Sequence, residues 1–138
     1  MIQLYSNGIA VASTVAIPLE NVVIKKGCST VNSGTRTIQL NKEGVYLVGV
    51  NATGVSTTAT TGDITIQLMK NGVLIPSAIA SETVANTTAT HALGFSALIT
   101  VPQNNSCKCS VMPTVISVMN EGVATTFNNI NVVVTKIC

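Results

Sequence analysis

His91 is the single histidine in a chain of 138 residues. Histidine is the side chain best suited to proton transfer and metal binding near neutral pH. One copy rules out a two-histidine metal site within a chain, although three copies around a threefold axis could build one. The plainer reading is a histidine at the start of a strand, on a surface or an interface. The carboxylates are equally sparse: Asp63, Glu20, Glu43, Glu82 and Glu121. Glu43, Asp63 and Glu121 each adjoin a glycine, where acidic residues solvate a turn or bond local backbone. Paired general acid and base are therefore not expected. Nucleophile-elbow, dinucleotide and phosphate-loop signatures are all missing.

Four cysteines, Cys28, Cys107, Cys109 and Cys138, follow no zinc spacing, because Cys107-Lys108-Cys109 is a C-x-C pair. Two residues apart on a strand, Cys107 and Cys109 share one face and read as small apolar core residues. Their side chains diverge too far for a mutual disulfide. A link between Cys28 and Cys138, or between subunits, stays open. No catalytic, cofactor-binding or metal-ligating residue is assigned, and no cofactor is expected.

Net charge is +2, from seven basic and five acidic residues. Lys25, Lys26, Arg36, Lys42, Lys70, Lys108 and Lys136 form no run and are not interleaved with aromatics. Nucleic-acid binding needs a basic stripe or a stacking platform, so no nucleic-acid partner is expected. No stretch reaches the apolar length of a membrane-spanning helix, so no membrane partner is expected either. The start, Met1-Ile2-Gln3-Leu4-Tyr5, lacks the basic and apolar segments of a secretory signal, which points to synthesis in the cytosol.

What positions these residues is a β framework. Charged residues are 9% of the chain and aromatics 3%, whereas Val, Ile and Thr together exceed a third, the composition of strands rather than helices. Ile64, Ile66 and Leu68 alternate with Thr65 and Gln67. Leu93, Phe95, Ala97, Ile99 and Val101 alternate with Gly94, Ser96, Leu98 and Thr100. Such period-two patterns are half-buried antiparallel strands. Val45–Val50 and Val132–Val134 are apolar on both faces, so another sheet or subunit must give a second cover.

Turn signals recur about every ten residues. Asn7-Gly8, Lys42-Glu43-Gly44, Thr61-Gly62-Asp63, Pro102-Gln103-Asn104-Asn105 and Asn120-Glu121-Gly122 are among them. Asn71-Gly72 predicts a type I′ hairpin. The spacing predicts strands at 2–5, 9–13, 20–25, 35–40, 45–52, 63–70, 73–80, 90–101, 106–119 (bulged at Pro113) and 130–137. About ten strands within one domain, residues 1–138, predict an all-β antiparallel jelly-roll sandwich. Residues 53–61 and 83–90 read as Thr-rich loops or strand ends.

The ordered features resemble the jelly rolls of the tumour necrosis factor and complement type. Gly44-Val45-Tyr46-Leu47-Val48 is similar to their Gly-x-Tyr strand. Ile64–Lys70 followed by Asn71-Gly72-Val73-Leu74-Ile75 resembles their Lys-Asn-Gly hairpin, and Ile130–Ile137 resembles their terminal strand. The nearest flavour is the small bacterial and phage versions, such as the C-terminal domain of collagen-like spore-surface proteins. No collagen stalk and no calcium-binding acidic cluster accompany it here. The resemblance implies a homotrimer with one sheet of each subunit around a threefold axis. It places Tyr46, Val48 and Val50 at the subunit interface. Val132 and Val134 are the next candidates for that interface, as buried faces whose side is left open.

The function expected is non-enzymatic: a homotrimeric structural protein on a phage virion surface, as capsid decoration, head fibre or fibre tip. Its partners would be itself and a capsid or other virion protein. One alternative is a trimeric receptor- or glycan-binding head, touching cell-surface glycan through the Thr-rich loops. Another is a bacterial spore-surface layer protein.

Overall fold

The computed structural model describes residues 1–26, 30–32, 37–102 and 114–137. Cys28, Arg36, Cys107, Lys108, Cys109, Pro113 and Cys138 lie outside the described residues. Eleven strands are described: β1 (Ile2–Val11), β2 (Val15–Ala16), β3 (Asn21–Lys25), β4 (Thr30–Asn32), β5 (Thr37–Leu40), β6 (Gly44–Ser56), β7 (Asp63–Lys70), β8 (Val73–Thr83), β9 (His91–Val101), β10 (Thr114–Asn120) and β11 (Thr125–Lys136). All pairings are antiparallel. The first sheet has the order β3-β1-β11-β6-β9 and the second β4-β5-β10-β7-β8, with β2 added on β10. Among the described residues no helix is long and apolar enough to cross a membrane.

The two sheets pack face to face because each strand puts an aliphatic residue on every second position. Ile2, Leu4, Val48, Val50, Ile130 and Val132 from the first sheet meet Ile38, Leu40, Ile64, Ile66, Leu68 and Ile116 from the second in one buried cluster. Phe127 is the largest side chain that the core encloses completely. Leu93, Ile99 and Val101 on β9 point inward, while Gly94, Ser96, Leu98 and Thr100 point out, as the alternation predicts.

Turn chemistry is obeyed at the β7–β8 hairpin. Asn71 has φ 51° and Gly72 φ 81°, the paired positive values of a type I′ turn. Asn71 also caps the end of β10: its Oδ1 accepts from Val115 N at 2.8 Å. The other Asn-Gly pair behaves differently. Asn7-Gly8, expected as a turn, lies within β1, which runs unbroken from Ile2 to Val11. The ladder passes from Asn7↔Asn129 to Ile9↔Phe127, so Gly8, with φ 61°, is accommodated as an irregularity inside the pairing. Long-range pairing with β11 outweighs the local turn preference.

A buried polar pin ties β1 to the segment before β3. Ser6 Oγ donates to Pro18 O at 2.6 Å and accepts from Glu20 N at 2.9 Å. Ser6→Ala leaves both backbone groups without that partner, and should cost about 1–3 kcal/mol. Urea unfolding of the two proteins side by side measures it; a loss below the fitting error would mean that water replaces the hydroxyl.

Candidate assembly surface

The residues with chemical potential are spread apart. His91 opens β9 and is buried. Its Nδ1 lies 3.9 Å from Glu82 Oε1, and its Nε2 has no hydrogen-bond partner among the described residues. Among the described residues no group of three His, Cys, Asp or Glu is placed to hold a metal ion. Asp63 begins β7, and Glu121 follows β10 with its N–H bonded to Thr65 O at 3.0 Å. Glu121 stands in a turn, as its glycine neighbour suggests, whereas Asp63 is already the first paired residue of its strand, opposite Thr83. A buried ring nitrogen without a partner is a cost, not an asset. His91→Leu should therefore be neutral or stabilising, by up to about 1 kcal/mol. Thermal unfolding at neutral pH reads this, and a clear loss would mean that the imidazole has work to do.

The five residues expected at a subunit interface are placed otherwise. Tyr46, Val48 and Val50 on β6, and Val132 and Val134 on β11, all face the second sheet and are buried within one chain. Val48 and Val132 have 0% exposure, which leaves no surface for a neighbouring subunit. Tyr46 also anchors its hydroxyl locally, donating to Lys42 O at 2.7 Å. The expectation is corrected by one residue of strand parity: these positions form the intramolecular core.

The opposite parity of the first sheet is the open face. Leu47 is 42% and Leu98 63% exposed, and the two pair directly across β6 and β9. On the next outward rung stand Gln3, Val133, Gly49 and Ser96, followed by Tyr5, Asn131, Asn51 and Gly94. Gln3 Nε2 donates to Asn131 Oδ1 at 3.1 Å, and Asn129 Nδ2 to Asn7 Oδ1 at 2.8 Å. These rungs carry no charge. Side-chain amides satisfy one another, and the glycines and serine keep the face low, so a second surface could approach closely. The signal was present in the sequence as the second apolar face of Val45–Val50; what was missing was which face turns inward.

The Thr-rich loops gather at one end of the sandwich. Thr57 N bonds Ala124 O at 3.0 Å, and Val84 N bonds Gly62 O at 2.9 Å. Of the two readings, loop or strand end, each segment shows both: β6 continues to Ser56 and β8 to Thr83 before the chain leaves the sheet.

Two five-membered antiparallel sheets with these orders, plus the small β2, form an all-β jelly-roll sandwich of the tumour necrosis factor type. No protein-family model and no curated sequence matches the chain. Solved structures match over nearly its whole length. Eiger, a TNF of S. frugiperda, is 13% identical, covering 99% of this chain and 92% of that one, with a TM-score of 0.65. Murine APRIL is also 13% identical, with coverage of 99% and 98% and a TM-score of 0.60. The PRD1 vertex protein P5 is 22% identical, with coverage of 99% and 96% and a TM-score of 0.61. At such identities the likeness defines the fold.

Proposed function

We propose that the protein is a non-enzymatic structural component of a phage virion surface, assembled as a homotrimer through the outward face of its first sheet. The observation that carries the reading is the likeness to the PRD1 vertex protein P5, a protein of near-equal span. The open face supports self-association: it is uncharged, low, and carries Leu47 and Leu98 where solvent would otherwise meet them. A capsid or other virion protein would be the second partner.

Native mass spectrometry of the purified chain should read three subunits. Replacing Leu47 and Leu98 together by Glu should return single chains, because burying leucine contributes about 1.5–3 kcal/mol each and a buried unpaired carboxylate costs more. A single-chain mass for the unaltered protein sinks the trimer. Antibody raised to the folded protein should label intact virions; bare particles would overturn the virion role.

A second reading is favoured by the gathering of residues 57–62 and 84–90 at one end: a receptor- or glycan-binding head. Glycan-array binding that disappears when residues 57–62 are shortened would favour it. A spore-surface role is separated from both by the neighbouring genes, where capsid and tail genes would point to phage.

A further inference from the structure

Antiparallel pairing sorts the charges by end. Lys25 pairs with Ile2 at the start of β1, and Lys26 N bonds Met1 O at 2.8 Å. Lys136 pairs with Tyr46 at the start of β6, and Lys42 lies in the turn just before it. Lys70 closes β7 and reaches across to the first sheet, donating to Thr100 O at 2.7 Å. All five lysines of the described residues thus stand at one end of the sandwich, accompanied, among the described residues, by one carboxylate side chain, Glu43. The opposite end carries Asp63, Glu82 and Glu121 and, among the described residues, no lysine or arginine; its one basic group is the buried His91 beside Glu82. Glu20 stands apart, beside Ser6 near mid-height. No lysine forms an ion pair among the described residues.

The lysine end is also the apolar end. Val73, at the tip of the β7–β8 hairpin, is 67% exposed and Ile137 50%. Between the ends of β6, β9 and β11 opens a cleft of about 420 Å³, lined by Val45, Val101 and Pro102 with Glu43 and Lys136 at its sides. Exposed apolar residues rimmed by charge mark a protein-docking surface. A nucleic-acid strand fits poorly, since Glu43 borders the cleft and no aromatic side chain is among its lining residues for bases to stack on.

We propose that the lysine-bearing end is the docking end of the molecule, and that it receives an acidic segment of a partner protein whose apolar side chain enters the Val45–Val101–Pro102 cleft. This deepens the virion-surface reading and rests on it for the identity of the partner as a virion protein. Rim lysines would steer the segment, and the cleft would hold it.

The test uses the full chain and three probes: a labelled peptide of alternating Glu and Leu, a short DNA duplex, and vesicles containing phosphatidylglycerol. The peptide should bind at low salt and weaken as salt is added. Changing Lys25, Lys26, Lys42 and Lys136 together to Gln should weaken it about tenfold or more. Changing Glu82 and Glu121 to Gln at the other end should leave binding unaltered. Absent peptide binding, equal binding by the lysine variant, or tighter binding to DNA or vesicles each overturns the proposal. Native mass measured on the same samples separates the two readings. A single chain that still binds through its lysines sinks the trimer alone, and a trimer that ignores the peptide sinks the docking end alone.

Discussion

Gly122→Ala is expected to destabilise the protein by about 3 kcal/mol, at the upper end of what overpacking usually costs. Gly122 lies in the turn between β10 and β11, pressed against the start of β7. A Cβ placed there would stand 2.5 Å from Thr65 N, closer still to Asp63 O, and 3.1 Å from Ile64 C. All three are backbone atoms, so no rotamer change relieves the contact. The turn cannot simply lift away either. Glu121 N is bonded to Thr65 O at 3.0 Å and Val123 N to Asp63 O at 2.9 Å, on either side of the glycine. Making room for a methyl group means breaking these bonds or shifting β7, whose Ile64 and Ile66 are core residues. Urea unfolding measures the loss, and Gly122→Val should lose more. An Ala variant within about 0.5 kcal/mol of the parent, the ordinary surface range, would show that the turn does not rest on β7.

Asn120→Asp should cost about 3–5 kcal/mol at neutral pH, although it exchanges one NH2 group for an oxygen. Asn120 is fully buried at the end of β10. Its Nδ2 donates to Val11 O at 3.0 Å, Val123 O at 3.1 Å and Ala12 O at 3.3 Å, and its Oδ1 accepts from Gly122 N at 3.2 Å. One amide therefore holds the end of β1, the loop after it and the β10–β11 turn. A carboxylate would aim a negative oxygen at three carbonyl oxygens and would itself be taken out of water. Burial among carbonyls raises the folded-state pKa of the introduced carboxyl above its unfolded value. The variant's deficit should therefore shrink as pH falls through that raised value, where the protonated group regains one donor. Asn120→Ala should show a smaller loss, about 1–3 kcal/mol, with no such pH dependence. Equal deficits for Asp and Ala across pH would mean that the amide is not the tie.

Strand content was legible because period two survives any tertiary arrangement. β7 spans Asp63–Lys70 as predicted, and β9 starts within a residue of the prediction. The jelly roll was legible through the order of the Tyr46 strand, the Asn71-Gly72 hairpin and the terminal strand. Asn120 was readable only as a turn signal. Its three carbonyl partners belong to segments as far as 109 residues away, and no local pattern announces them. Asn7-Gly8 carries the same local signal as Asn71-Gly72, yet only the second pair turns the chain. The difference lies in β11, which pairs with β1 on both sides of Gly8.

By itself the sequence determined an all-β sandwich. More than a third of the chain is β-branched, it alternates, and it breaks at turn residues every ten positions or so. It also showed that a single chain holds one histidine and no run of basic residues. Two further properties belong to the tertiary structure alone. The first is which side of the two-faced strands is core. Alternation defines two faces, but only the second sheet selects Tyr46, Val48 and Val50 over Leu47 and Gly49. The second is the sorting of charge. Lys25, Lys42, Lys70 and Lys136 look scattered along the chain because successive strands run in opposite directions. Folding returns each of those strand ends to the same side, and a sparse set of charges becomes one end of a molecule.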